Sequence, residues 1–336
     1  MLSQILVQID DRSQVGEARR AAAQVTEALA FDVTQSGKVA LAVTEAATNI
    51  VKHAGSGKIL LTPLARGMAA GIEILALDRG PGISNVAASL RDGFSTAGSM
   101  GSGLGALSRV SPSFDLYSHP GRGTALRVEV WGTAAVPPAD DLKLELGAVC
   151  LPMPGEQAAG DGWLLRASGD YRTILVVDGL GHGPNAARAA RAATDAFASH
   201  SAAAPAALMQ ICHGALASTR GAAGGAARVD PAKKQGTFAG IGNIACRVES
   251  AGARRQLVSH SGTLGHVMRR VQEFEFEFPA GSLLILHSDG LATHWAGADY
   301  PGLMTKHAGL IAGVLYRDHD RGRDDVTVVV LKNLSS

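Results

Sequence analysis

The chain is poor in cysteine and carries almost no charge imbalance. Its 336 residues contain three cysteines, Cys150, Cys212 and Cys246, which lie far apart and form no CxxC pair. This usage argues against a disulfide framework or a cysteine metal site and is typical of reduced thiols in a cytoplasmic protein. Lys and Arg number 31 and Asp and Glu 30, which gives a net charge of +1. That balance provides no electrostatic footprint for nucleic acid or for an anionic membrane.

The sequence also lacks a long uncharged apolar run. No run approaches the roughly 20 residues that span a bilayer. The stretch MLSQILVQIDDRSQ shows no basic region followed by an apolar one, so we expect neither a secretion signal nor a membrane segment, and a cytoplasmic location. Hydrophobic residues at 46% and charged residues at 18% are globular values. The length allows about two domains of roughly 100–200 residues each.

The first third of the chain alternates short strands and helices. ILVQI, KILLTPL, GIEILALD and GTALRVEVW are predicted to be strands, and residues 15–30 and 36–53 are predicted to be helices. The segment 132–141, GTAAVPPADD, has two prolines, an acidic pair and no periodicity. This composition predicts a linker.

The remainder is rich in short strands. Helical stretches are predicted at 184–220 and 303–318, and strands before and after them favour a layered sandwich over a βαβ repeat. The small-residue segment 220–236, RGAAGGAARVDPAKKQG, is predicted to be a mobile loop.

A polar triplet lies within LAVTEAATNIVKHA, residues 41–54. Glu45, Asn49 and His53 follow an i, i+4, i+8 spacing and so share one face of the predicted helix. Taken alone, the triplet is equally well explained by a solvated polar stripe.

The next motif gives the triplet a context. LALDRGPGI places Asp78 at the end of an apolar strand, followed by Gly80 and Gly82. A carboxylate there can accept a hydrogen bond from an exocyclic amine, and glycines allow the backbone to approach a flat base. A turn after a strand also favours Asp and Gly, so this motif alone is a weak signal.

A glycine-rich stretch, GFSTAGSMGSGLGAL, spans residues 93–107. A P-loop needs G-x-x-x-x-G-K-[ST], and this stretch contains no lysine. A Rossmann turn follows a strand directly, whereas this stretch follows a Ser/Thr-rich segment. Both alternatives therefore fail on context.

Four motifs in this order resemble the GHKL ATP-binding fold, or Bergerat fold. EAATNIVKHA is similar to its N box, DRGPGI to its first glycine box, GSGLGA to its second and GRGTAL to its final Gly-Thr, a match covering residues 5–131. More narrowly, DRGPGI followed by DGFSTAGSMGSGLGAL resembles the RsbT type of serine kinase, a partner-switching kinase of bacterial stress signalling.

This resemblance implies ATP and Mg²⁺ as ligands of the first domain. It implies that Asn49 binds Mg²⁺ through its side-chain oxygen, that Glu45 is the base toward the attacking hydroxyl, and that Asp78 binds the adenine amino group. His53 is equally compatible with a role in the site and with a packing or capping role. The further nucleotide-binding positions that it implies are Gly80 and Gly82 beside the adenine, Gly101, Gly103 and Gly105 in a lid facing the phosphates, and Thr124 at the adenine end.

Carboxylates at the ends of apolar strands recur in the second half. They are Asp161 in AAGDGWLL, Asp178 in ILVVDGLGHG, Asp289 in LLILHSDGLATH, and Asp324 with Asp325 in RDDVTVVVL. A hairpin turn explains any one of them, because Asp-Gly is a common turn signal, but it explains the whole set less well. Converging oxygen ligands suit Mg²⁺ or Mn²⁺. A pair of such ions can generate a hydroxide and hold a phosphoryl group in line.

DGLGHG, GIGNI, SDGL and RDDVTVVV, in this order, resemble the SpoIIE/RsbX branch of the PPM-type metal-dependent serine/threonine phosphatases over about residues 141–332. The resemblance implies two Mn²⁺ or Mg²⁺ ions. It makes Asp161 and Asp178 the catalytic carboxylates that bridge both ions. It assigns the Gly179 carbonyl to one ion and Asp289 and Asp324 to the other.

Two features of this half stay open. His182 in the DGLGHG turn is compatible with orienting the ligand loop and equally with a structural role. Larger relatives in the family carry a basic phosphate clamp near the start of the domain, and this sequence shows no clear counterpart. The group that binds the substrate phosphate is therefore unassigned.

Together the resemblances predict an α/β (α+β) protein of two domains. Residues 1–133 form an N-terminal Bergerat-fold α/β sandwich, 134–141 a linker, and 142–336 a C-terminal PPM-type αββα sandwich. The resemblance also implies pairing as a homodimer.

The favoured function is a bifunctional enzyme of a partner-switching, stressosome-like pathway, with a STAS-domain antagonist or scaffold protein as substrate. Two alternatives are a phosphatase whose N-terminal domain only binds ATP or a partner as a regulator, and an anti-sigma-like domain that sequesters a transcription factor. The presence of both Glu45 and Asn49 favours catalysis, because a domain that only binds has no need of a base.

Overall fold

The computed structural model describes residues 3–90, 103–133, 143–250 and 253–334. The chain divides into two units, Met1–Pro138 and Ala139–Ser336. Each unit contains its own hydrophobic core. The linker expected at 134–141 lies outside the described residues.

The first unit is an antiparallel five-stranded sheet with helices packed on one face. The strands lie in the order β1-β2-β3-β5-β4. Its strands are β1 (Ile5–Ile9), β2 (Gly57–Arg66), β3 (Ala69–Asp78), β4 (Phe114–Ser118) and β5 (Thr124–Trp131). Its helices are α1 (Arg12–Ala28), α2 (Val33–Asn49), α3 (Val86–Ser89) and α4 (Gly103–Val110).

Capping residues and small apolar side chains position the two long helices. The Asp11 side chain accepts from the Ser13 backbone N–H, and Asp32 accepts from that of Gln35, so each satisfies an open donor at a helix start. The face of α2 that packs on the sheet is buried and includes Val39. This packing fixes the end of α2 over the strands that carry the candidate nucleotide site.

The predicted strands of this unit are confirmed, and the helix ends differ from prediction. The first helix begins at Arg12 rather than at residue 15, because the Asp11 side chain caps the helix start. The second is α-helical only to Asn49 and continues as a π-helical turn, Ile50–Ala54. Gly55, with φ of +79°, ends that turn. π-turns cannot be distinguished from α-helix by apolar spacing over so few residues.

The second unit is an αββα sandwich of two antiparallel sheets, ordered β15-β10-β9-β8-β7 and β12-β11-β16-β17-β6. Its first strands and helices are β6 (Leu144–Leu151), β7 (Asp161–Ser168), β8 (Tyr171–Gly179), α5 (Pro184–Ser199), α6 (Pro205–Ala215), β9 (Ala222–Asp230), β10 (Gln235–Ile241), β11 (Ala245–Ser250) and β12 (Ala253–Leu257). There follow β13 (Gly262–Thr263), β14 (Val267–Met268), β15 (Phe274–Glu277), β16 (Leu283–His287), α7 (Ala308–His319) and β17 (Val326–Asn333). Short 3₁₀ turns occupy Gly297–Asp299 and Leu303–Thr305.

The core of this unit lies between the two sheets. Buried side chains such as Val176 and Phe238 from one sheet meet Leu284 and Val329 from the other. Helices α5 and α6 cover the outer face of the first sheet, and α7 packs on β6 and β17. The predicted layered sandwich, and with it the two-domain α/β fold, is confirmed. In the described parts of the chain, no helix combines the length and apolarity needed to cross a membrane.

The prediction of a mobile loop at 220–236 is wrong. Most of it forms β9, a buried strand paired with β8 and β10. A Cβ on Gly224 would lie 2.6 Å from Leu264 Cδ1, and one on Gly225 would lie 2.9 Å from Ile244 Cγ2. Small residues are needed here because neighbouring layers close on both faces of the strand, so no alternation of polar and apolar residues marks it.

The predicted helix boundaries in this half also change. The stretch 184–220 is two helices, α5 and α6, and α6 begins at Pro205. Proline is favoured in the first turn of a helix and cannot continue one from before, which explains the break. The stretch predicted at 303–318 is the 3₁₀ turn Leu303–Thr305 followed by α7, whose first turn is capped by the His307 side chain.

Helix α7 approaches its sheet closely at two glycines. A Cβ on Gly147 of β6 would lie 2.1 Å from the backbone nitrogen of Gly309 in α7. Contact this short requires backbone movement if any side chain is added. Gly147 therefore sets the spacing between α7 and the sheet.

We expect Gly147→Ala to lower the free energy of unfolding of the second unit by about 1–3 kcal/mol, as overpacking in a close-packed core does. Gly214→Ala is the matched control, because nothing lies within 4 Å of a Cβ on Gly214 in α6. The control is expected to gain about 0.5–1 kcal/mol from its better helix propensity. Thermal unfolding of the full chain measures both, and a Gly147→Ala protein as stable as the unaltered one would contradict the packing argument.

Candidate functional site

Helix α2 carries the first group of candidate residues. Glu45 and Asn49 lie one turn apart near its C-terminal end, and both are half-buried. The Nδ2 atom of Asn49 is buried and makes no hydrogen bond within the described residues. His53 lies in the π-helical turn and is exposed. The continuous helix face assumed for all three residues therefore ends at Asn49.

Asp78 ends β3 at the edge of the same region. Its Oδ1 accepts from the backbone N–H of Gly80 at 2.9 Å and from that of Thr124 at 3.1 Å. The Thr124 hydroxyl lies 3.0 Å from the Ser118 hydroxyl, which also accepts from the Ile83 backbone N–H. These bonds fix the Asp78 carboxylate against the start of β5.

Glycines allow three chain segments to meet around Asp78. A Cβ on Gly80 would lie 2.6 Å from that of Ala54 at the end of the π-turn. One on Gly82, where φ is +72°, would lie 2.2 Å from the His119 carbonyl oxygen. One on Gly123, where φ is +79°, would lie 2.0 Å from the Asp78 carbonyl oxygen. The end of α2, the loop after β3 and the start of β5 are thereby brought together.

The glycine-rich stretch is described only in part. Gly101 and the residues back to 91 lie outside the described residues. Gly103 and Gly105 fall in the first turn of α4, whose open backbone N–H groups are a general feature of helix starts.

The second group of candidates occupies one end of the phosphatase-like sandwich. β7 and β8 form a hairpin whose register sets Asp161 directly opposite Asp178. Directly opposed side chains in an antiparallel pair share one face of the sheet. Gly179 follows, and a Cβ there would lie 2.4 Å from the Ala186 carbonyl oxygen, so the loop packs closely on the start of α5.

Carboxylates from the other sheet join this pair. Asp289 follows β16, and its Oδ2 accepts from Asn243 Nδ2 at 2.7 Å. Asp324 and Asp325 precede β17, and the Asp325 backbone N–H donates to Asp324 Oδ1 at 2.9 Å. Asp325 is buried and its Oδ1 accepts from the Met153 backbone N–H at 2.9 Å.

Ser288 connects the two sheets. Its hydroxyl donates to Asp161 Oδ2 at 2.6 Å and accepts from the Thr327 backbone N–H at 2.9 Å. Ser288 is fully buried between β16 and β17, so its position is fixed by the register of that sheet. The Asp161 carboxylate is thereby oriented by the opposite sheet.

The assembled carboxylates disfavour one another's charge. Burial raises the pKa of Asp161 well above its ordinary value, and the charge of Asp178 raises it further. Burial, followed by the charges of Asp289, Asp324 and Asp325, raises the pKa of Asp178 to about 7. Burial also raises the pKa of Asp325. A buried group of like charges is stabilised by a cation that lies among them.

The donors present fit divalent metal ions. Asp161 Oδ1 and Asp325 Oδ2 are buried and have no hydrogen-bond partner within the described residues. Carboxylate oxygens are the ligands that Mg²⁺ and Mn²⁺ prefer. Among the described residues, no group of three or more His, Cys, Asp or Glu side chains already stands in a metal-holding arrangement. The carboxylates thus share one region of the second unit.

Some residues at this site have no assignment from the sequence motifs. Ser288, Asn243 and Asp325 each contact a candidate metal ligand. Asn243 lies in the GIGN motif and Ser288 in the SDG motif, but neither motif alone assigns a role to these two residues. His182 Nδ1 lies 2.6 Å from Glu156 Oε1. This pair holds the DGLGHG turn against the loop after β6.

Two family models match the chain. The one described as the histidine kinase-like ATPase domain matches residues 9–130, and the one described as stage II sporulation protein E (SpoIIE) matches residues 168–333.

Similar proteins agree with this division. The serine/threonine-protein kinase RsbT of Bacillus subtilis (strain 168) is 34% identical over 131 residues, which are 39% of this chain and 98% of RsbT. The phosphoserine phosphatase RsbX of the same strain is 25% identical over 138 residues, 41% of this chain and 69% of RsbX.

Solved structures are similar as well. One is described as the bacterial stressosome, a modular system adapted to control secondary messenger signalling. It is 30% identical, with a TM-score of 0.53, and the match covers 56% of this chain and 100% of the solved chain. The crystal structure of RsbX in complex with magnesium shares the fold, with a TM-score of 0.51, 20% identity and coverage of 57% of this chain and 96% of its own.

The motifs, the fold and the relatives all divide between the same two units. The chain therefore belongs to the RsbT family in its first unit, a histidine kinase-like ATPase domain, and carries a SpoIIE-type serine/threonine phosphatase domain in its second.

Proposed function

We propose that the chain is a cytoplasmic bifunctional enzyme of a partner-switching, stressosome-like pathway. It transfers phosphate from ATP to serine or threonine of a STAS-domain protein and hydrolyses phosphoserine or phosphothreonine. The observation that carries the proposal is the group of buried and half-buried carboxylates supplied by both sheets of the second unit, which together raise the pKa of Asp161 and Asp178. Domains at 1–133 and 142–336, joined by a linker at 134–141, carry the two activities.

The relatives support both halves of this proposal. RsbT is a serine/threonine-protein kinase and RsbX a phosphoserine phosphatase, and the solved RsbX structure contains magnesium. A stressosome structure matches more than half of the chain. These similarities favour opposing reactions on one signalling partner.

In the kinase unit, Asp78 receives the adenine amino group, and Gly80, Gly82 and Thr124 shape the adenine end. Glu45 accepts the proton of the substrate hydroxyl. The hydroxyl oxygen attacks the γ-phosphorus of ATP, and the bond between that phosphorus and the β,γ-bridging oxygen breaks to release ADP. Asn49 would hold Mg²⁺ through its side-chain oxygen, because its buried Nδ2 has no hydrogen-bond partner among the described residues and rotation of the amide by 180° would place the oxygen there instead. The backbone N–H groups of Gly103 and Gly105, in the first turn of α4, would bind the phosphates, and Gly101 is the third lid residue of this proposal.

In the phosphatase unit, Asp161 and Asp178 would bridge two Mg²⁺ or Mn²⁺ ions. The Gly179 carbonyl would complete one ion's ligand set, and Asp289 and Asp324 would bind the other. When bound, such ions supply an activated water and neutralise phosphoryl charge. Ser288 orients Asp161, and Asn243 orients Asp289, which keeps their remaining oxygens directed into the site.

Asp178→Asn should reduce Mn²⁺-dependent hydrolysis of p-nitrophenyl phosphate at least about 100-fold. Mutating even a residue that only contacts a metal ligand lowers metal affinity or activity about 10–100-fold. Asp170→Asn is the matched control, since Asp170 is exposed in the turn of the same hairpin. Steady-state rates at saturating Mn²⁺ provide the measurement. Full turnover by Asp178→Asn would refute the metal assignment.

Ser288→Ala should weaken Mn²⁺ binding about 10–100-fold, because Asp161 loses the hydroxyl that orients it. Ser282→Ala is the control, since Ser282 is equally buried and its hydroxyl has no hydrogen-bond partner within the described residues. Calorimetric titration of the full chain with Mn²⁺ measures both. Equal affinities for the two variants would contradict the orienting role of Ser288.

Label from [γ-³²P]ATP should accumulate on a cognate STAS-domain protein with Asp178→Asn, because removal of the phosphate is blocked. Adding Glu45→Gln to that variant should retain ATP binding and slow transfer about 10²–10⁴-fold, the usual worth of a catalytic base. Glu17→Gln, at an exposed position of α1, is the control. ATP binding without any label on the partner in Asp178→Asn would instead support the regulatory alternative.

A further inference from the structure

An arginine lies beside the loop that follows Asp178. A guanidinium nitrogen, Nη1 of Arg220, is 3.2 Å from the position that a Cβ on Gly181 would occupy. Gly181 has φ of +82° and belongs to the same turn as Gly179. Arg220 is distant in sequence, in the connection between α6 and β9, so only the fold brings it here.

The backbone around Arg220 is fixed. The Gly221 carbonyl accepts from the Leu180 backbone N–H at 3.0 Å, which ties this connection directly to the loop after Asp178. The Thr219 hydroxyl accepts from the Gly221 backbone N–H at 3.0 Å and donates to the Leu216 carbonyl at 2.8 Å. The turn that presents Arg220 is therefore ordered by its own hydrogen bonds and by the neighbouring loop.

The Arg220 guanidinium is exposed and has no hydrogen bond or ion pair to any residue in the described ranges. His182, the nearby basic side chain in the same loop, differs because Glu156 holds its Nδ1. An unengaged guanidinium beside the loop that follows Asp178 has five donors available to a ligand. Its planar fork matches two oxygens of a phosphate group.

We propose that Arg220 binds the phosphoryl oxygens of the phosphoserine or phosphothreonine substrate. This inference rests on the proposed phosphatase function. The carboxylates repel a phosphate dianion, and Arg220 supplies a positive group beside the loop that follows Asp178. It supplies, from the α6–β9 connection, the basic contact that has no evident counterpart near the start of the domain.

Arg220→Ala should weaken the binding of inorganic phosphate to the Mn²⁺-loaded full chain about tenfold or more, since hydrogen bonds to charged groups contribute that much. KM for a phosphoserine peptide should rise by a similar factor, with a smaller fall in kcat. Arg220→Lys keeps the positive charge and loses the planar guanidinium, so its phosphate affinity and KM should fall between those of the unaltered chain and those of Arg220→Ala. Calorimetry with phosphate and steady-state kinetics give these measurements.

Arg191→Ala is the matched control, because Arg191 is exposed on α5 and its side chain makes no hydrogen bond among the described residues. It should retain phosphate affinity and KM, and all variants should retain Mn²⁺ affinity. Wild-type phosphate affinity and KM in Arg220→Ala would overturn the assignment. So would their loss in Arg323→Ala alone, a change at the exposed arginine before Asp324.

The proposed function can fail separately. If the unaltered chain shows no Mn²⁺-dependent hydrolysis, the phosphatase proposal fails and the role of Arg220 fails with it. If the unaltered chain is active and Arg220→Ala matches it in both phosphate binding and KM, only the Arg220 assignment is overturned.

Discussion

Repulsion among buried carboxylates is the constraint on which the second unit depends. Asp161 and Asp178 are opposed on one hairpin, and Asp289 and Asp325 come from the other sheet. Like charges in a desolvated region destabilise the fold unless protons, hydrogen bonds or cations compensate. Ser288 offsets part of this cost and simultaneously joins the sheets.

The first unit reaches a functional geometry by a different physical route. Close backbone approaches, rather than opposed charges, bring together the end of α2, the loop after β3 and the start of β5. Gly82 and Gly123 occupy positions where both the positive φ and the available space exclude a side chain. The Asp78 carboxylate accepts from two backbone N–H groups, which fixes the floor of the candidate nucleotide site.

The sequence motifs predicted the two-unit fold because each motif couples a turn to a neighbouring strand or helix. They also placed Asp161 and Asp178 at the edges of apolar strands, and the register of the hairpin sets the two residues opposite each other. They could not assign Ser288 or Arg220, because their contacts join segments far apart in sequence. The π-turn after Asn49 was missed since it differs from α-helix only in backbone hydrogen bonding. Local patterns carry periodicity, whereas contacts between layers depend on the closed fold.

Strand β9 has a consequence for how this chain can vary. Its residues, AAGGAARVD, suggest a segment indifferent to substitution. Yet a single added carbon at Gly224 or Gly225 would meet side chains of neighbouring layers at less than 3.0 Å. A substitution at either position therefore requires a neighbouring layer to move, although the small residues of β9 give the sequence no visible sign of this constraint.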